Sequence, residues 1–194
     1  MYYLWHDCDC PNKLMLEYDK NISPDRFIFF RSNEIKPEQV RQKIVFKAKV
    51  SKKLISQFDC APNNSGSPLV NQKVAALLLR LAPDEVQFFE ADIYCTDGIL
   101  QGYQLLNCTR KFIGVDYEKS KYRTILPDDD DIGSFKRLSF KPGSMGSLHI
   151  ARMEEFSSHI VVNEEIKQAF ASAKFKGVDL DTPEDYYGSI YIRG

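Results

Sequence analysis

The stretch that decides the fold is 65-SGSPLVNQKVAALLLRLAPDEVQFFEADIYCTDGILQGYQLL-106. Its first half carries apolar residues at helical spacing. Leu69, Val70, Val74, Leu77, Leu78 and Leu81 fall on one broad face. Ser67 is a good N-cap, and Pro68 suits the first helical position, where its missing N–H has no partner to lose. Pro83 stops the pattern. The spacing therefore predicts a helix over Pro68–Leu81. Val86–Tyr94 then reads as a strand, Asp97-Gly98 as a turn, and Tyr103–Leu106 as the antiparallel return.

Working outward, Asn163 caps a second predicted helix, Glu164–Ala173. Glu164 and Glu165 complement its positive end, while Ile166, Ala169, Phe170 and Ala173 form its apolar stripe. Gly177 lets the chain leave, and Val178 and Leu180 continue as a strand. Short strands are expected at Met1–His6, Phe27–Phe30, Phe112–Val115, Phe135–Phe140, His149–Arg152 and Ile160–Val162. Ile44–Val50 reads as a half-exposed strand, with Phe46, Ala48 and Val50 inward and Lys47 and Lys49 outward; a helix from Glu38 onward competes with it. Ile190, Tyr191 and Ile192 would either dock as an edge strand or fray. The turns are too short for repeated βαβ crossovers, so the expected fold is α+β: mainly antiparallel sheet with a few packed helices, in a single domain over 1–194. Residues 1–60 are a possible N-terminal subdomain.

The bulk numbers narrow the function classes. With 43% apolar and 27% charged residues, the chain has an ordinary globular composition. Its formal charge of −1 gives no global field toward nucleic acid or membrane. No apolar run is long enough to span a bilayer, and the start, MYYLWHDCDC, has no basic n-region or long apolar core of a signal peptide. Cytoplasmic location is the expectation. Five cysteines without framework spacing fit a reduced compartment.

Few constellations suggest chemistry. His6, Cys8 and Cys10 form an H-x-C-x-C of soft ligands, which strand alternation would place on one face. No second Cys/His pair lies nearby to complete a zinc site, so no metal is expected. His149 and His159 sit in apolar segments, where packed histidines are the ordinary case, and no G-x-S-x-G elbow or phosphate loop occurs. Lys36–Lys53 is basic and interleaved by Phe46, which suits either a nucleic-acid face or a lysine-guarded sheet edge. Asp128, Asp129, Asp130 and Asp131 lack the alternate spacing and terminal glutamate of a calcium loop. Such a run is solvated, and it presents a dense negative field to a basic partner.

Three segments resemble a known family: SPLVNQKVAALLLRLAPDEVQFF, GYQLLNCTRKFIGVDYEKS and HIARMEEFSSHIVVNEEIKQAFASAKFKGVDL. Together they are similar to the eleventh catalogued group of bacterial polymorphic-toxin immunity proteins, formerly a domain of unknown function. The resemblance covers roughly Val45 to Leu180, and more weakly Met1–Trp5. It implies an α+β, non-enzymatic protein encoded beside a secreted effector toxin, which it binds and neutralises in the producing cell. It carries over no catalytic or binding residue and implies no cofactor. The toxin-binding expectation therefore rests on electrostatics: Asp128–Asp131, with Asp179, Asp181, Glu184 and Asp185, would fill the basic cleft of a nucleic-acid-directed toxin. The alternatives are a small metal- or thiol-dependent hydrolase using His6, Cys8 and Cys10 or a buried histidine, and a nucleic-acid-binding module using 36–53.

Overall fold

The computed structural model describes residues 1–124 and 132–185. The run Asp128–Asp131 and the tail residues Ile190, Tyr191 and Ile192 lie outside these. In chain order the elements are β1 (Tyr2–Asp7), β2 (Glu17–Tyr18), β3 (Ile44–Lys47), α1 (Lys52–Ile55), β4 (Cys60–Ala61), β5 (Leu69–Asn71), α2 (Gln72–Leu81), β6 (Val86–Cys95) and β7 (Gly98–Cys108). They continue as β8 (Lys111–Phe112), β9 (Lys121–Thr124), β10 (Ile132–Arg137), β11 (Ile150–Met153), β12 (Ile160–Asn163), α3 (Glu164–Ala173) and β13 (Val178–Asp181). Single 3-10 turns form at Asn12–Leu14, Arg26–Phe30, Pro37–Gln39 and Pro183–Asp185.

Six strands form one sheet in the order β2-β3-β6-β7-β5-β4, and five form a second in the order β13-β1-β12-β11-β8. β9 and β10 pair only with each other. Pairing is antiparallel except for β3 with β6 and β11 with β8. The α+β, mostly antiparallel expectation therefore holds. The expected absence of crossovers does not. β5–α2–β6 and β12–α3–β13 are both strand–helix–strand units. In each, the outer strands flank one antiparallel strand, β7 in the first and β1 in the second. A ten-residue helix supplies the length to step over that middle strand.

The two units share a sequence pattern. Val70-Asn71 is followed by Val74 and Leu78, and Val162-Asn163 by Ile166 and Phe170, at identical spacing. Asn163 caps α3 as expected, its side chain accepting from the Ile166 amide. α2 corrects the sequence reading. It begins at Gln72, not Pro68, and its cap is Asn71, which accepts from the amides of Lys73 and Val74. Leu69 and Val70 are taken by strand pairing with β4 and β7, which outweighs four further residues of helix. Ser67 is buried elsewhere, as described below.

Two further readings change. Phe27–Phe30 is not a strand but part of a 3-10 turn, opened by the Asp25 side chain accepting from the Phe27 amide. Four consecutive apolar residues have no period of two, and here only Phe29 is fully buried while Phe27 is exposed. Ile44–Val50 shortens to β3, whose Ile44, Val45 and Phe46 are all buried because the strand lies inside the sheet. The competing helix from Glu38 survives only as the turn Pro37–Gln39.

Three apolar clusters hold the sheets together. The central one joins Val74 and Leu78 of α2, Ile166 and Phe170 of α3, Tyr3 and Trp5 of β1, and Leu106 and Cys108 of β7. It thus spans both large sheets and the two ten-residue helices. A second cluster covers the other face of the six-stranded sheet with Leu16, Tyr18, Phe29 and Ile35 from the N-terminal segments. A third covers the other face of the five-stranded sheet with Phe112, Val115, Ile132, Phe135 and Leu138. Gly177, at φ +93, lets β13 start against β4, since an added Cβ would meet the Cys60 carbonyl oxygen at 1.9 Å.

Candidate functional site

A polar cleft lies where β1 ends. It holds about 170 Å³ and is lined by Trp5, His6, Asp7, Asn63, Ser67 and His159 among others. The H-x-C-x-C motif only partly shares it. Strand alternation stops at Asp7, and the Cys8 amide turns away to donate to the Gly177 carbonyl. Burial, then the neighbouring Cys10 thiol, pushes Cys8 up to about 11. His6 instead meets His159 edge-on, with ring centroids 5.7 Å apart. Among the described residues no three or more His, Cys, Asp or Glu side chains converge on a point that would hold a metal.

The histidines differ from one another. His159 stacks on Phe156 at 4.4 Å, and its Nδ1 lies 2.8 Å from Ser158 Oγ. Burial, then the neighbouring His6 and Arg152, lower its pKa to about 3, so it is neutral at physiological pH. His149 is half-buried rather than packed in the core: its Nδ1 lies 3.3 Å from Glu85 and its Nε2 3.4 Å from Glu165. Glu85 also accepts from the amides of His149 and Ile150, fixing the start of β11. Asp7 accepts from the Asn63 amide, and burial raises its carboxyl to about 6. The Ser158 hydroxyl faces His159, whose lowered pKa makes it a weak base, and the Cys60 and Cys108 thiols are buried and raised, Cys108 to about 12.

Arg152 is the strongest feature that sequence reading passed over. It is fully buried in β11, and it donates to the carbonyls of Gly66 (3.2 Å) and Ser157 (2.7 Å) and to Ser67 Oγ (2.8 Å). Its guanidinium lies 4.8 Å from the centre of the Phe30 ring. No carboxylate pairs with it among the described residues. Carbonyl dipoles and an aromatic face take the place of a counter-ion, and the residue ties the 63–68 loop of one sheet to the 154–159 turn of the other. A lone arginine in the apolar strand IARM was the available signal.

Three lysines of the basic stretch are paired with carboxylates. Lys43 pairs with Asp92, Lys47 with Asp19 at 2.7 Å, and Lys49 with Glu17 at 2.7 Å. These carboxylates come from β6 and from the β2 region, far off in sequence. These pairs reduce the charge that a nucleic-acid reading of 36–53 would use, while Lys36, Arg41, Lys52 and Lys53 form no ion pair among the described residues. The other acids of the proposed toxin contact fall on or after the last strand. Asp179 and Asp181 belong to β13, opposite His6 and Leu4, while Asp185 accepts from the Thr182 hydroxyl at 2.6 Å.

No helix among the described residues is long and apolar enough to cross a membrane. Comparison with curated proteins gives no match. Comparison with protein families does: the model described as Immunity protein family (Imm11) matches residues 6–185. That span takes in both strand–helix–strand units, the Arg152 anchor and the β9–β10 hairpin, and it is the family anticipated from the three sequence segments. The chain belongs to the Immunity protein family (Imm11).

Proposed function

We propose that the chain is the immunity partner of a secreted effector toxin in a polymorphic toxin system, and that it acts in the cytoplasm of a bacterium engaged in contact-dependent competition. It neutralises the toxin by direct protein–protein binding and performs no chemistry of its own. The family match over residues 6–185 carries this reading. The side chains support it: the thiols are raised, His159 is held neutral, and Arg152 is consumed in joining the sheets. An inhibitor of this kind needs a stable scaffold and a complementary surface.

Asp128–Asp131 are proposed as one part of that surface, facing a basic region of the toxin. They fall in sequence between β9 and β10. Four adjacent carboxylates repel one another, and a basic partner relieves the repulsion and speeds encounter. The test has two arms. Protection against the toxin is measured with His6, Cys8, Cys10, His149 and His159 replaced one at a time, and it should survive every folded replacement. Loss of protection with toxin binding intact would make the protein an enzyme. Association kinetics of a variant with all four aspartates changed to Asn should be slower and less salt-dependent; superimposable rates would remove these residues from the interface.

A further inference from the structure

We propose that the outer face of the β9–β10 hairpin is a docking face for an acidic patch on the toxin; this rests on the toxin-binding reading above. β9 and β10 form a two-stranded sheet apart from the two larger ones. Their inner face is anchored by Ile132 and Phe135, both in the third apolar cluster. The register sets Lys121 directly opposite Arg137, and Arg123 opposite Ser134. Lys136 is the extra residue where the register shifts between Phe135 and Arg137. Directly opposed side chains sit about 5 Å apart at Cβ, and like charges there are destabilising. The hairpin thus places like charges together although it gains no stability from doing so.

Five lysines, one of them just before β9, are neutralised. Lys43, Lys47, Lys49, Lys111 and Lys119 each pair with a carboxylate. Lys121, Arg123, Lys136 and Arg137 pair with none among the described residues. Glu184 lines a hollow beside Lys119 and Arg137 without bridging to either. Arg137 is nevertheless held in place: its Nε donates to the Lys119 carbonyl at 2.8 Å, leaving its terminal amino groups for a ligand. An oriented guanidinium recognises a carboxylate in two-point fashion.

A protein surface fits better than nucleic acid. Single-stranded nucleic acid wants aromatic faces interleaved with its cations. The nearby rings are partly exposed but pack edge-on, Tyr122 against Tyr117 at 5.6 Å and against Phe135 at 6.3 Å, so neither stands free between the cations. Tyr122 also lies opposite Phe135, on the inner face rather than the cationic one. With a formal charge of −1 the whole chain adds no field to hold a polyanion. A few carboxylates on a partner protein match the charge and the short reach of a four-residue strand.

The experiment measures association of the full chain with the catalytically inactivated toxin encoded beside its gene, across a salt series. Lys121→Glu with Arg137→Glu should slow association roughly tenfold or more at low salt, with the gap closing as salt rises. Lys121→Glu alone turns a like-charge pair into an opposite one. It should therefore raise the melting temperature while still slowing association, which separates recognition from stability. Arg123→Glu repeats the test without touching the Arg137–Lys119 contact. If the wild-type chain binds the toxin and all three variants associate at its rate, the docking face is refuted and the toxin-binding reading stands. If the wild-type chain forms no complex, both fall. Variants that bind the toxin normally but lose affinity for a short DNA duplex would assign the face to nucleic acid and overturn the proposal.

Discussion

Asn71 offers the sharpest test of the fold, because the sequence and the structure assign it different jobs. In a helix starting at Pro68, Asn71 would sit in the first turn, where alanine is the better helix former. In the structure it is the cap. Its side-chain oxygen accepts from the Lys73 and Val74 amides, and its amide donates to Asp59 Oδ1 at 2.8 Å. Losing a cap that serves two amides costs about 1–2 kcal/mol, and the bond to Asp59 adds about 1 kcal/mol. Asn71→Ala should thus destabilise by roughly 2–3 kcal/mol, a fall in melting temperature of roughly 5–10 °C for a chain of this size. Asn163, with one amide to serve, should cost only about 1 kcal/mol on the same change. Aspartate splits the two sites further. Elsewhere it caps as well as asparagine, so Asn163→Asp should be nearly neutral. At 71 it would set a second carboxylate against Asp59 and fail to rescue. Urea unfolding, with unchanged slopes, measures all four variants. The reasoning fails if Asn71→Asp matches the wild type, or if Asn71→Ala costs no more than Asn163→Ala.

Leu78 is fully buried in the central cluster and Leu79 beside it is 46% exposed. Leu78→Ala should cost about 2–5 kcal/mol in the same assay and Leu79→Ala less than about 0.5 kcal/mol. Gly177→Ala should cost at least about 1–3 kcal/mol by chemical denaturation, since φ +93 is strained for alanine and the Cys60 carbonyl blocks its Cβ. The cleft should also be read by pH. Asp7 is raised from 3.8 to about 6, so the folded chain holds the extra proton and loses stability as pH rises through that window. Asp7→Asn should therefore raise stability at pH 7 by up to about 3 kcal/mol and leave it unchanged below about pH 4. His159 has the opposite sign. Its pKa is lowered from 6.5 to about 3, so stability is lost as pH falls between those values, and His159→Gln should flatten that loss in urea midpoints taken from pH 7 to pH 4.

What the sequence determined by itself is what neighbours in the chain decide. Asn163 and the helix it caps, and the hairpin built from Val86–Cys95 and Gly98–Cys108, depend on caps, periodicity and a tight turn within a few residues. The apolar stripe of α2 was legible for the same reason. Its start was not, because Leu69 and Val70 are strand residues only once β7 and β4 lie beside them. The same limit hid the crossovers, since nothing local says that β1, from the first residues of the chain, slots between β12 and β13. Charge followed this division most clearly. The sequence showed a basic stretch at 36–53, but three of its lysines find carboxylates on β6 and near β2, while Lys121 and Arg137, sixteen positions apart, are set face to face by strand register. Counter-ions act through space over a few ångströms, so only the tertiary structure could say which charges are already neutralised and which remain for a partner.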